Sequence, residues 1–218
     1  MKTTRAIFLT LSVMLLWAGI TFAQSTTKPP TSTSQKEKTK MTSPGKEIAI
    51  VETSMGTFEM ELYRSDAPKT VENFVKQADK KYFDGMRVHR VSKGFVIQTG
   101  DDKSKDKSLD SLWGTGGKSI WGKPFEDELN PNAPSYQEGY KKGVVAMANR
   151  GPNTNTSQFF ICLKDVGLPH NYTIFGKVIN GLDVVEKIGQ VEIIPGPMGP
   201  TDGKPKTDVM IKKIHMKK

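Results

Sequence analysis

The sequence predicts a mainly β domain, a closed antiparallel barrel of about eight strands capped by two helices. Three observations predict it. Short apolar runs of strand length, beginning at Ile48–Val51 and ending at Val209–Ile214, recur along the chain between Gly, Pro, Asn and Ser. Helical spacing of apolar residues occurs in just two stretches, around Val71–Ala78 and Leu182–Ile188. Strands and helices do not alternate and no segment repeats, which argues against a parallel βαβ sheet.

The chain opens with an address. Lys2 and Arg5 form a positive n-region, Ala6–Ile20 is apolar, and Thr21-Phe22-Ala23 places small residues where a signal peptidase reads them. Residues 1–23 are therefore expected to be a signal peptide cleaved after Ala23, and the mature protein to be extracytoplasmic, periplasmic or secreted. The apolar run falls short of the roughly 20 residues a spanning helix needs, so no membrane span is expected in the mature form. Residues 24–46 are rich in Thr, Ser, Lys and Pro, with Met41 the one hydrophobic side chain. Such a segment buries too little surface to offset chain entropy and reads as a disordered tether. Residues 47–218 form the folded domain.

Charge bears on partners. Of the formal net charge of +9, residues 1–23 carry +2 and residues 24–46 carry +4, leaving +3 for residues 47–218. A domain that mildly basic gives no reason to expect a nucleic-acid partner. Cys162 is the one cysteine, which excludes an intrachain disulfide, and His89, His170 and His215 are scattered without ligand spacing. No metal site and no cofactor are expected.

Within the domain, Ile48–Val51 and Phe58–Leu62 alternate around Ser54-Met55-Gly56 as a hairpin. Asp66 before Pro68 reads as an N-cap with proline in the first turn, and Val71, Phe74, Val75 and Ala78 form the buried stripe of the first helix. Strands follow at Met86–Val91 and Phe95–Thr99. Alternation puts Arg90 on the face of Val88 and Gln98 on the face of Val96. An arginine alternating with apolar residues needs a partner, a ligand or an edge position.

Asp101–Gly117 is a polar loop carrying Trp113, and its Gly114-Thr115-Gly116-Gly117 end lacks the Lys-Ser/Thr pair of a phosphate loop. The acidic run Glu126-Asp127-Glu128 could serve acid–base chemistry or a cation site, but beside Lys123 and Pro124 it better suits a solvated or capping role. Val144–Ala148 and Phe159–Cys162 flank a turn of Gly151, Pro152, Asn153 and Asn155. In the second of these strands Gln158, Phe160 and Cys162 share one face, and Phe159 and Ile161 the other. Either the strand is buried on both sides, or Phe160 and Gln158 stand together on the open face of a groove suited to a peptide. Tyr172–Ile179, a helix at Leu182–Ile188 and a closing strand at Val209–Ile214 complete the chain.

Four blocks carry a family resemblance: V-H-R-V-S-K-G-F-V-I-Q-T-G-D from Val88, G-K-P-F-E-D-E from Gly122, A-M-A-N-R-G-P-N-T-N-T-S-Q-F-F-I from Ala146 and Y-T-I-F-G-K-V from Tyr172. In order and in register they resemble the signature blocks of cyclophilin-type peptidyl-prolyl cis–trans isomerases. With the expected export signal, the chain is similar to a bacterial extracytoplasmic form. The resemblance covers residues 47–218 and implies an eight-stranded barrel with a helix at each end. It implies Arg90 as the catalytic residue and Phe95, Val96, Phe160 and Leu168 as the proline pocket. It implies Gln98, Ala148, Asn149 and Gln158 as contacts to the peptide backbone, with Tyr172 where many members have histidine. Val96 stands where methionine is usual. The loop Val166–Asn171 is short and lacks a tryptophan, so weak binding of cyclosporin is expected.

The implied chemistry is rotation about an X–Pro bond, against an amide-resonance barrier of about 18–20 kcal/mol. No bond breaks, so a dry pocket for the ring and a fixed donor to the prolyl nitrogen suffice. The expected partners are proline-containing segments of unfolded or exported proteins, and the protein is expected to be a monomer. The competing expectation is a non-catalytic prolyl-peptide-binding module or chaperone using the same groove. An envelope-adhesion role resting on the lysine tether is a further alternative.

Overall fold

The computed structural model describes residues 46–218. The expected signal peptide at 1–23 and tether at 24–46, Lys46 apart, lie outside the described residues. The described chain is mainly β, with strands β1 (Glu47–Thr53), β2 (Gly56–Leu62), β3 (Arg90–Ser92), β4 (Val96–Thr99) and β5 (Val144–Met147). They continue with β6 (Phe159–Cys162), β7 (Ile174–Asn180), β8 (Ile193–Gly196), β9 (Gly199–Pro205) and β10 (Ile211–Met216). Helices are α1 (Pro68–Asp79), α2 (Pro134–Glu138) and α3 (Leu182–Gly189).

The expectation of a closed eight-stranded barrel is borne out as far as a mainly β, antiparallel sheet. Ten strands form one antiparallel sheet in the order β10-β1-β2-β7-β5-β6-β4-β3-β9-β8, and its end strands do not pair with one another. The expected strand at Met86–Val91 is regular from Arg90 onward. Its first half meets the approach to β10 through a single bridge, Arg87 opposite Met210. Beside that bridge the Arg87 and Met210 amides bond the hydroxyls of Ser104 and Ser54, while backbone bonds from Val88 N to Val209 O, Ile211 N to Met86 O and Gly85 N to Ile211 O tie the segment to β10 and its approach.

The two additional strands, β8 and β9, form a hairpin at the sheet edge in a stretch that carries Pro195, Pro197, Gly199 and Pro200. Edge strands tolerate proline because their outward amides need no ladder partner. A third helix, α2, is a five-residue element that begins at Pro134, three residues after Pro131.

Below the sheet, α1 buries Val71, Phe74 and Ala78 as its 3.6-residue period requires. The Phe74 ring meets Phe83, Phe159 and Phe175 at 5.1, 5.7 and 5.5 Å. The helix α3 packs into the same core through Val184, Val185 and Ile188.

Asp66 does not cap α1. Its Oδ2 accepts from Ser135 N at the start of α2. The α1 cap comes from the acidic run: Glu128 accepts from Lys69 N and from Thr70 N and Oγ1. The cap is a long-range one because Ala67, at the N-cap position, has no side-chain acceptor.

The strand Phe159–Cys162 is buried on both faces, and its two faces serve different clusters. Phe159 and Ile161 belong to the main core, whereas Phe160 and Cys162 join a smaller cluster with Val96, Val144, Ala146 and Ile174. That smaller cluster lies under the candidate site. Both readings of this strand therefore hold in part: it is a buried strand, and Phe160 borders a groove.

Candidate active site

Register builds the site. Arg90 on β3 is paired with Gln98 on β4, Gln98 with Phe160 on β6, and Phe160 with Ala146 on β5. Directly opposed residues point to the same side of a sheet, so these four stand in one row across four strands. Two residues earlier on the chain of β6, Gln158 shares the face of Phe160.

The row is held by a chain of hydrogen bonds. Arg90 Nη1 donates to Gln98 Oε1 at 3.0 Å, and Gln98 Nε2 donates to Gln158 Oε1 at 3.0 Å. Gln158 Nε2 donates in turn to the carbonyls of Gly114 and Gly116, at 3.0 and 2.8 Å. The other side of Arg90 meets Asp202 on β9: Nε lies 3.0 and 3.1 Å from the two carboxylate oxygens, and Nη2 lies 2.7 Å from Oδ2. A guanidinium has five N–H donors, and these contacts occupy Nε–H and one N–H on each terminal nitrogen. One N–H on each terminal nitrogen is left without a bond among the described residues.

Burial works to raise the Asp202 carboxyl, but hydrogen bonds from Arg90 and Ser92 and the guanidinium charge hold it below the usual carboxylate range. The partner that an arginine within a sheet requires is thus a carboxylate from the β8–β9 hairpin, a stretch to which the sequence assigns no element. The signal available in the sequence was chemical, the need of Arg90 for a counter-charge. Nothing in the spacing singled out Asp202.

Beside Arg90 opens a cavity of about 350 Å³. Its apolar walls come from Phe95, Val96, Phe160, Leu168 and Tyr172, and its rim from Gln98, Ala148 and Asn149. All the residues expected to line a proline pocket are together there, including Leu168 from the short loop. Met198, at the tip of the β8–β9 hairpin, completes the wall and was not anticipated.

The pocket is made rigid from behind. Phe160 and Tyr172 meet edge to face at 5.5 Å. The Tyr140 hydroxyl donates to Tyr172 O at 2.9 Å and accepts from Tyr172 N at 3.0 Å. Asn149 Nδ2 donates to Asn171 O at 2.7 Å, tying the loop after β5 to the loop before Tyr172. Gln158 is the one expected contact set back from this cavity; it lines a smaller neighbouring one of about 60 Å³ with Gly114, Gly116 and Arg150.

Polar side chains of α1 hold the surrounding loops. Asn73 donates to Thr156 O and accepts from Ile120 N, and Gln77 donates to Lys118 O. The Asp101–Gly117 loop folds onto its own first two residues: Asp101 accepts from Gly116 N, and Asp102 from Gly117 N. Gly116 is needed there because a Cβ would lie 2.1 Å from Asp101 Oδ1. Trp113 packs near the site, with the Arg87 and Lys204 cations 5.3 and 5.8 Å from its ring centroid. No group of metal-ligating side chains occurs among the described residues.

Comparison with known proteins gives the class. The profile of the family described as "Cyclophilin type peptidyl-prolyl cis-trans isomerase/CLD" matches residues 48–216. A Neurospora crassa peptidyl-prolyl cis-trans isomerase-like 1 is 44% identical over 169 residues, 76% of this chain and 91% of that protein. A human peptidyl-prolyl cis-trans isomerase-like 3 is 41% identical over 163 residues, 74% and 91% of the two chains. The crystal structure of a Cryptosporidium parvum cyclophilin-type isomerase superposes with a TM-score of 0.68 at 31% identity, covering 79% of this chain and 98% of that one.

The chain belongs to the cyclophilin-type peptidyl-prolyl cis-trans isomerases, and it is an enzyme of that class. These relatives come from a fungus, a mammal and a protozoan, so they lend no support to the expectation of a specifically bacterial form.

Proposed function

We propose that this protein catalyses X–Pro rotation by seating the proline ring among Phe95, Val96, Phe160, Leu168 and Tyr172 while Arg90 donates to the prolyl nitrogen. Gln98, Ala148, Asn149 and Gln158 hold the peptide backbone. The observation that carries the reading is the Arg90 fork. It is held by Asp202 and Gln98, borders an apolar cavity, and keeps one N–H on each terminal nitrogen uncommitted. As the amide twists, its nitrogen lone pair localises and becomes an acceptor, which a preorganised donor stabilises more than the planar ground state. A solved structure of the Cryptosporidium relative was determined with the dipeptide Ala-Pro, which supports a prolyl ligand for this groove.

The biological setting belongs to the proposal. Residues 1–23 direct export and are removed after Ala23, and the mature monomer assists the folding of exported proteins. The test of the site is a protease-free isomerisation assay on a short X–Pro peptide with Arg90→Ala. Its kcat/KM should fall by about two to three orders of magnitude. A folded variant that keeps most of its activity would leave a non-catalytic prolyl-peptide-binding module as the better reading. The test of export is N-terminal sequencing, which should begin at Gln24.

A further inference from the structure

A second cavity, of about 460 Å³, adjoins the proposed proline pocket and shares Arg90, Gln98 and Met198 with it. Its far wall is the β8–β9 hairpin. Ile194, Pro195 and Pro197 are exposed along that wall, and Met198 is 72% exposed at its tip. Across from the hairpin stands Trp113. Exposed carbon gathered beside a binding groove is costly to leave in water and marks a place where a ligand covers it.

The charges around this cavity are matched within the protein. Arg90 is paired with Asp202, and Lys204 with Asp110. His89 lies 93% buried at the cavity, with neither ring nitrogen hydrogen-bonded. Burial drives its pKa down to about 4, so the ring is neutral near pH 7. With its ions paired, its base neutral and the remaining Arg90 N–H groups given to the prolyl amide in the proposed function, the cavity offers a charged side chain little beyond the loss of its hydration.

We infer that this cavity is a specificity subsite that takes an apolar side chain flanking the substrate's proline, with Met198 and Ile194 as its principal contacts. The inference rests on the proposed use of Arg90 and the proline pocket. Continuity through Arg90, Gln98 and Met198 lets a chain whose proline ring fills the first cavity present a neighbouring residue to the second. The volume accommodates a leucine or phenylalanine side chain, within the range of ordinary ligand pockets.

The experiment uses the full chain and two peptide series, one varying the residue before proline and one the residue after it, each through Gly, Leu, Phe, Lys and Asp. In one series, kcat/KM for Leu or Phe should exceed that for Gly by about fivefold or more, and Lys and Asp should gain nothing. Ile194→Ser and Met198→Ser, singly and together, should shrink that ratio. Comparing ratios between wild type and variant cancels the peptides' own differences in cis content. Ratios that are flat in both series, that favour a charged residue, or that are unchanged in both variants would overturn the subsite. Arg90→Ala, run on the same peptides, separates the two levels: a collapse across every peptide with flat wild-type ratios sinks the subsite and leaves the proposed catalysis standing.

Discussion

Asp202 grips the Arg90 guanidinium through Nε and Nη2, although the two residues lie 112 positions apart in the chain. They come from adjacent strands, where Ser92 stands opposite Asp202 and Val91 opposite Gly203. A fork held on two sides loses little entropy when it donates to a reacting amide, whereas a swinging one must be ordered in each turnover. Asp202→Asn keeps an acceptor but loses the charge and the paired grip. Its kcat should fall by roughly tenfold while KM changes less than about threefold, and Asp202→Glu should recover part of the loss. Equal changes in kcat and KM would assign Asp202 to substrate binding instead of positioning Arg90.

Activity should be nearly flat from about pH 6 to 8. Arginine does not titrate there, Asp202 is held below the usual carboxylate range, and burial keeps His89 near 4. Because Asp202 is depressed, its contribution is present at neutral pH and is lost as pH falls through its folded-state value, when protonation frees Arg90. A bell-shaped profile centred near neutrality that survives His89→Gln would require a titrating acid or base that this site does not use.

Arg90→Lys should recover little of the activity that Arg90→Ala removes. An ammonium is a point donor on a flexible stem and cannot hold Asp202 and Gln98 while also facing the substrate. Recovery to within about threefold of wild type would mean that positive charge alone is sufficient.

Cyclosporin should bind weakly. Leu168 lines the proposed proline pocket from the Val166–Asn171 loop, but that loop has no tryptophan. An absent indole donor and its contact area cost on the order of 2 kcal/mol at an interface. Titration calorimetry giving an affinity equal to that of tryptophan-bearing members would contradict this.

What was legible in the sequence was periodic or local. Alternation put Arg90, Gln98 and Phe160 on usable faces, and the ladder then aligned them in one row. The α1 stripe of Val71, Phe74 and Ala78 followed from helical spacing in the same way. What escaped depends on distant pairing. Asp202 and Met198 sit in a hairpin rich in proline and glycine, whose strand character comes from edge pairing with β3. Asp66 has the right residue type and offset for a cap, yet tertiary contacts gave that task to Glu128 and turned Asp66 toward Ser135. Closure of the sheet was also beyond local pattern, because it turns on the long-range pairing of Arg87 with Met210.

Removing the Glu128 carboxylate should destabilise the domain without touching the groove. Three donors at the start of α1, Lys69 N, Thr70 N and Thr70 Oγ1, would lose their acceptor. Loss of a helix cap costs typically about 1 kcal/mol, and the charge at a helix N-terminus adds a few tenths. Glu128→Ala should therefore lower Tm by several degrees and leave kcat/KM at 25 °C within about twofold. Unchanged Tm would mean that water replaces the cap at no cost.

His89 should make the fold sensitive to mild acid. Burial lowers its pKa from 6.5 to about 4, against the raising influence of Asp101, and Arg90 pushes it further down. Between those two values the unfolded chain carries a proton on His89 that the folded chain does not. Unfolding then takes up a proton, so stability declines as pH is lowered from about 6.5 and levels off near 4, where the folded ring protonates. At 1.36 kcal/mol per unit the whole effect is on the order of 3 kcal/mol. The ring nitrogens have no hydrogen-bond partner, so Gln at this position exchanges one buried polar group for another and removes the titration, which changes the slope of stability with pH. Its Tm should fall less than that of wild type between pH 7.5 and 4.5, while every other titrating group contributes equally to both proteins. Two parallel Tm curves would show that His89 accepts its proton in the folded state as readily as in the unfolded one.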